Sequence, residues 1–260
     1  VTDIDDATSY TLGLSYKPRK NVTIYANYAS SVNPDPGQAP STALNAYDFL
    51  DPFESTQWEA GVKTELSGVE IDFALFHIER PTAWTGPDKI YKVQGQQRNR
   101  GAEVMAKGKL SDDITLFGGF TWLDTKITGT DTEATDGKRA VGVPEWQGNL
   151  FTEYRLPQPF AGVTASLNLH YTGERTANTY GTTTADGYAT VDLGLRYTGD
   201  LPEGTISGKY TLRLSVNNLF DERYWASLFP GSIDGSGTAS GSTAFVGEPR
   251  TVKLTLSLLN

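Results

Sequence analysis

The sequence predicts an all-β chain, folded as the wall of an antiparallel transmembrane β-barrel of about eleven strands. Three observations carry that prediction. Apolar and polar residues alternate with a period of two almost throughout, and helical periodicity is hard to find. The connections between alternating segments are short and long by turns. Aromatic residues gather near the ends of the segments, on the apolar side of the alternation.

Composition agrees and excludes several function classes. The 260 residues include 31 acidic and 22 basic ones, a net charge of −9, with no clustering of Lys or Arg. A nucleic-acid partner is therefore not expected, because a polyphosphate has to be neutralised. The absence of cysteine removes disulfides, thiolate catalysis and Cys-rich zinc sites. His77 and His170 are too far apart in sequence for a local metal motif, so neither a metal site nor a cofactor is expected. A hydrophobic share of 38% with 27 Gly and 13 Pro is lean for a helical core, and the 11% aromatic share favours strands. No stretch approaches the roughly 20 apolar residues of a spanning helix, which leaves barrels untouched. Val1-Thr2-Asp3-Ile4-Asp5-Asp6 has no signal-peptide character, as expected of a mature product or an internal fragment.

The alternation is cleanest towards the C-terminus. Val163, Ala165, Leu167, Leu169 and Tyr171 share one parity, with Thr164, Ser166, Asn168, His170 and Thr172 between them. The rhythm returns in Ala189 to Tyr197, in Tyr210 to Val216 and in Val252 to Leu258. Weaker copies occupy residues 8–16, 22–30, 55–66, 69–79, 100–110, 114–125 and 143–155. Most approach the roughly 9–11 residues with which a tilted strand crosses a bilayer. Residues 17–21, 67–68 and 111–113 are tight and rich in turn formers. Between them lie 32–53, 81–97, 127–142, 175–187 and 220–247, which are read as long loops; 156–162 and 198–208 are intermediate. Outer-membrane barrels have this asymmetry, with short turns inside and long loops outside.

With strand directions fixed in this way, Tyr10, Tyr28, Trp58, Trp122, Trp146, Tyr171 and Tyr188 fall near the outer ends. Tyr16, Tyr154, Tyr197 and Tyr210 fall near the inner ends. All eleven are assigned to the apolar face, as two interfacial girdles would require. The opposite parity carries Glu59, Lys63, Asp72, Glu103, Lys107, Asp192, Arg196 and Arg213. In a membrane those charges must face a wet or protein-filled lumen, since lipid exposure costs about 2–4 kcal/mol for a cation at mid-depth. The Gly118-Gly119 pair lies within a strand and fits close packing rather than a phosphate cradle.

Four segments in order resemble a known family. They are Tyr25-Ala26-Asn27-Tyr28-Ala29, the run from Asp51-Pro52-Phe53-Glu54 through Trp58-Glu59-Ala60-Gly61, the run Gly95-Gln96-Gln97-Arg98-Asn99-Arg100-Gly101-Ala102-Glu103, and a C-terminal signature. That signature is Asn217-Asn218-Leu219-Phe220-Asp221-Glu222-Arg223-Tyr224-Trp225, followed after a long loop by Gly247-Glu248-Pro249-Arg250-Thr251. Together they resemble the TonB-dependent outer-membrane receptors, with the flavour of siderophore receptors. Residue by residue these are fold signatures: Asn217, Asn218 and Asp221 suit a strand end and turn, and Gly247 and Pro249 a restart.

The resemblance implies a 22-stranded barrel around a plug, of which residues 1–260 form the C-terminal half. It places the plug domain, and the contact with TonB, outside this sequence. The sheet edges are then expected to meet the rest of the barrel or companion chains. Asn260 stands where the family usually ends on an aromatic residue. The implied function is import of ferric siderophores across the outer membrane of a Gram-negative bacterium, energised through TonB. Other outer-membrane cargo (cobalamin, haem or sugar), a porin, and a soluble carbohydrate-binding β-sandwich are the alternatives. Haem receptors use loop histidines, whereas His77 and His170 are read in strands. No catalytic constellation is present, so an enzyme is not expected. Loop aromatics are the ligand candidates, since flat rings suit chelates: Tyr47, Phe49, Trp84, Tyr91, Trp225 and Phe229. The run Gly231-Ser232-Ile233-Asp234-Gly235-Ser236-Gly237 is expected to let the last loop close over a guest.

Overall fold

A computed structural model describes residues 8–33, 37–130, 133–201, 208–230 and 242–259. The Val1–Asp6 segment, the Gly231–Gly237 run and Asn260 lie outside the described residues. The strands are β1 (Thr11–Arg19), β2 (Val22–Asn33), β3 (Phe53–Leu66), β4 (Val69–Thr85), β5 (Tyr91–Lys109), β6 (Ile114–Thr128), β7 (Trp146–Arg155), β8 (Val163–Thr172), β9 (Arg175–Thr176), β10 (Thr184–Ala185), β11 (Tyr188–Asp200), β12 (Lys209–Asn217), β13 (Trp225–Pro230), β14 (Ser242–Val246) and β15 (Thr251–Leu259). Eleven of them form one antiparallel sheet in the order β1-β2-β3-β4-β5-β6-β7-β8-β11-β12-β15. The pairs β9/β10 and β13/β14 are small ribbons within long connections.

At the tight turns the register of the main sheet follows from turn chemistry. Ser67 and Gly68 both hold positive φ, 51° and 83°, the two-residue turn whose twist matches a hairpin. It sets Leu66 opposite Val69, Lys63 opposite Asp72 and Trp58 opposite His77. Val163–Tyr171 and Ala189–Tyr197 lie side by side, with Leu167 opposite Leu193. Leu193 is 41% exposed and among the described residues no second sheet seals it, which disfavours a β-sandwich. Among the described residues β1 and β15 each pair on one side only.

Directly opposed residues share a face, so the register fixes both faces across the sheet. One is apolar: Leu14, Ala26, Ala60 and Leu75 run across β1 to β4, and Leu169, Val191 and Val216 belong to the same face further on. The other carries Glu59, Lys63, Asp72, Glu103, Lys107, Asp192, Arg196 and Arg213, as the alternation requires. Of the eleven aromatics assigned to the apolar face, ten lie there. Tyr188 does not: it pairs with Thr172, which places it on the polar face with His170 and Asp192. The apolar alternation of β11 begins only at Ala189.

The segment 81–97 also departs from its reading as a loop. β4 and β5 extend through it to 17 and 19 residues and leave a tip of residues 86–90. Pro81 is accommodated at a register shift between Pro81 and Ala83, and Gly95 takes φ 75°, so the turn formers mark bulges rather than a chain reversal. At about 3.3 Å per residue these strands far exceed what a bilayer needs. They stand above the apolar band, and the apolar parity turns charged there. Beyond Leu75, Ala102 and Trp122 it carries His77, Arg100 and Asp124. His77 Nε2 meets Glu79 at 2.9 Å, Arg100 Nε donates to His77 Nδ1 at 3.1 Å, and Arg98 pairs with Asp124 at 3.4 Å.

Candidate functional site

The polar face is a ladder of cross-strand bonds. Tyr25 Oη donates to Glu59 at 2.8 Å and Gln57 Nε2 to the other carboxylate oxygen at 3.1 Å. Gly61 makes room for that ring, since a Cβ there would lie 2.7 Å from Tyr25. Lys63 meets Asp72 at 3.1 Å, Lys107 meets Glu70 at 3.0 Å and Arg196 meets Glu153 at 3.2 Å. Farther along, Asn149 Nδ2 donates to Asn168 at 2.9 Å and Asn168 Nδ2 to Asp192 at 3.0 Å. These half-exposed pairs orient side chains more than they stabilise the sheet, each contributing about 0–1 kcal/mol.

At the end of the sheet that carries the long connections, these are held together by non-local bonds. Asn218 (φ 50°) organises the C-terminal signature. Its Nδ2 donates to the carbonyls of Glu222 and Glu248, its Oδ1 accepts from the Glu222 amide, and its own amide donates to Asp192 at 2.8 Å. Asp221 (φ 56°) accepts the Arg250 amide at 2.9 Å. Asn218 and Asp221 therefore shape the chain, while Arg223, Tyr224 and Trp225 line a small cavity of about 250 Å³ with Val246.

Arg175, 3% exposed, fastens the β13/β14 hairpin. Nη2 donates to the Trp225 carbonyl and Nη1 to that of Ala226 at 3.3 Å. Its guanidinium lies 5.6 Å over the Tyr188 ring, which stacks on Tyr224 with centroids 4.0 Å apart. Burial, followed by the neighbouring Tyr188, pushes the Tyr224 phenol above its ordinary pKa. Nothing local in the sequence marks Arg175, because both acceptors lie about fifty residues downstream.

A second cluster lines a cleft of about 470 Å³ between the upper β4–β6 strands and the 133–143 segment, with Thr179 from the next connection. Trp84 forms part of its wall, with Arg80, Ile127, Arg139 and Val141. Ile127 donates its amide to Lys138, which brings the segment alongside β6. Arg139 is fixed by Glu145 at 2.8 Å and by the Leu123 carbonyl at 3.4 Å. Arg139, then the Trp122 indole, hold the Glu145 carboxyl below the ordinary carboxylate range. At the β4–β5 tip Lys92 and the Ile90 amide do the same to Asp88.

The six aromatic ligand candidates do not converge on one cavity. Trp84 and Tyr91 are strand residues, not loop residues, and only Trp84 lines the cleft. Tyr47 and Phe49 are exposed on the 37–50 segment, which docks on the tip through Asn45; its Oδ1 accepts the Tyr91 amide and its Nδ2 donates to the Tyr91 carbonyl. Trp225 and Phe229 belong to the hairpin, where Phe229 meets Phe245 edge-on at 6.0 Å. Arg80 and Arg139 carry no sequence signal of their own: Arg139 falls in the 127–142 segment read as a loop and Arg80 just past the 69–79 strand, where an arginine reads as solvated surface. His77 and His170 sit in strands, and no cluster of three metal-ligating side chains occurs among the described residues.

Comparison with known proteins places this architecture. Residues 1–219 match the family described as TonB dependent receptor-like, beta-barrel. The ferrichrome receptor FcuA of Yersinia enterocolitica is 32% identical over 252 residues, covering 95% of this chain and 31% of the receptor. The metal-pseudopaline receptor CntO of Pseudomonas aeruginosa is 27% identical over 254 residues, covering 95% and 33%. Among solved structures, BauA, the ferric preacinetobactin receptor of Acinetobacter baumannii, superposes with a TM-score of 0.80 at 29% identity, covering 97% of this chain and 36% of BauA. The chain thus spans about a third of the length of the relatives it matches. With its eleven-stranded two-faced wall and its family match over most of its length, this chain belongs to the TonB-dependent receptor β-barrel family.

Proposed function

We propose that this chain is the C-terminal part of the barrel of a ferric-siderophore receptor in the outer membrane of a Gram-negative bacterium. The observation that carries the reading is the two-faced wall crowned by a bonded layer of connections, in a chain similar to receptors named for ferrichrome and ferric preacinetobactin. Tyr10, Tyr28, Trp58, Trp122, Trp146 and Tyr171 supply the outer interfacial girdle, and Tyr16, Tyr154, Tyr197 and Tyr210 the inner one. The polar face lines the lumen. The layer of connections contributes to the vestibule where the chelate is caught, and TonB acts through a plug domain outside this chain.

An odd number of antiparallel strands sets β1 and β15 parallel to each other at any seam, so these residues alone do not complete an ordinary barrel. The single-sided edges are accordingly where the remainder of the wall joins. The test is growth of a receptor-deleted strain carrying the full-length gene on a panel of ferric siderophores under iron limitation. Rescue by at least one chelate is expected. Rescue by none, in a receptor that reaches the surface, would overturn the substrate class and leave cobalamin, sugar or other cargo.

A further inference from the structure

The cleft beside Trp84 has a charge that its own wall does not cancel. Among the described residues Arg80 and Arg139 line it and no carboxylate does. Arg139 is already engaged by Glu145 and the Leu123 carbonyl. Arg80 is exposed, sits opposite Gln97 on the polar face, and has no ion pair or hydrogen bond among the described residues. The rest of the lining is largely apolar, with Ala83, Trp84, Ile127, Ala140, Val141 and Val143. One polar atom in the wall is also unsatisfied: Thr179 Oγ1 is buried with no partner among the described residues. A buried hydroxyl left without a partner is costly unless a guest or a small movement provides one.

We infer that this cleft takes an anionic ferric chelate whose iron is held by aromatic, catecholate-type oxygens, with Arg80 as the residue that selects for charge. The inference rests on the reading of the chain as part of a siderophore receptor and narrows its substrate class. Iron(III) held by three hydroxamates is neutral, because three single negative charges cancel it. Iron(III) held by three catecholates keeps a surplus negative charge spread over ring oxygens. A guanidinium fork recognises such oxygens two at a time, and an indole wall accepts the flat rings. A neutral chelate has no charge to set against the desolvation of Arg80. The volume lies within the range of small-molecule sites, roughly 300–1,000 Å³. A bulky chelate therefore places one arm in the cleft and leaves the rest in the vestibule.

The test compares radio-iron uptake from a ferric tris-catecholate and from a neutral ferric trihydroxamate by cells carrying the full-length receptor, with surface labelling to establish insertion. Uptake of the catecholate is expected to fall about tenfold or more in Arg80→Glu, and less in Arg80→Lys, which keeps the charge but loses the fork. Arg80→Gln, which changes the surface least, is paired with binding to the purified receptor at rising salt. Wild-type affinity for the catecholate should weaken with salt, and the variant's should weaken less steeply, since Arg139 still lines the cleft. Catecholate uptake indifferent to Arg80→Glu, a salt response in Arg80→Gln as steep as in the wild type, or uptake confined to the neutral chelate would each overturn the inference while leaving the receptor reading intact. Uptake of no ferric chelate by the wild type would overturn both.

Discussion

Replacing Arg175 with methionine should release the β13/β14 hairpin while leaving the main sheet in place. The side chain is buried, gives two hydrogen bonds to the Trp225 and Ala226 carbonyls, and covers the Tyr188 ring at 5.6 Å. Each bond from a charged donor contributes about 1.5–3 kcal/mol, and the ring contact about 0.5–2 kcal/mol. Against these stands the desolvation of a guanidinium whose Nε is itself buried without a partner, which removal of the charge recovers. The contributions do not add, and about 3 kcal/mol is a reasonable net for docking of the hairpin. Because hairpin opening is a local event, that figure appears as about a hundredfold faster amide exchange at 225–230 and 242–246. Exchange in the β8 and β11 ladder should scarcely change. Hydrogen exchange read by mass spectrometry on the full-length receptor in detergent measures both regions together. Arg175→Lys should behave much like Arg175→Met, since an ammonium cannot reach two carbonyls with a fork. Equal protection of the hairpin in wild type and both variants would refute the reasoning, and a uniform loss across the sheet would show that Arg175 supports the wall instead.

Gly247→Ala should loosen the same hairpin by another route, because its methyl would run into the Tyr224 ring that stacks on Tyr188; a cost of about 1–3 kcal/mol is expected, read by the same exchange measurement. Single-tryptophan variants reconstituted in acyl-brominated lipid should show quenching of Trp58 and Trp146 on the apolar face and none of Trp84 or Trp225 above it; quenching of all four would contradict the assigned faces. Acidification should free the 129–145 connection. Glu145 is held below its ordinary value of 4.5, chiefly by Arg139, so its ion pair contributes above that value and is lost as the pH falls through the depressed one. Proteolytic nicking near residue 140 should therefore rise only in acid, and Glu145→Gln should be nicked alike at neutral and acid pH.

The strands of the wall were legible because each face meets a single kind of environment, so a period of two survives wherever a strand crosses the apolar band. The same logic explains where it failed. Tyr188 is an aromatic residue at a strand start, and it was assigned to the apolar face because its type suited a girdle. Its register with Thr172 puts it on the polar side, where it stacks on Tyr224 and supports Arg175. Residues 81–97 looked like a loop because Pro81, Gly86, Pro87 and Gly95 are turn formers. Above the membrane band no apolar face is required, so β4 and β5 continue with bulges and without the alternation that reveals strands lower down. The candidate site was the least legible part for the same reason. Aromatic residues could be picked out by type, but their grouping depends on bonds such as Asn45 to Tyr91 and Arg175 to Trp225, which join residues 46 and 50 positions apart. A repeating pattern reports the surroundings of a whole strand, whereas a binding cleft depends on a few long-range pairings that leave no period behind. Its defining charge, Arg80, follows the polar-face parity of β4 like any other lumen residue, and only the 139–143 segment lying opposite turns that guanidinium into part of a cleft.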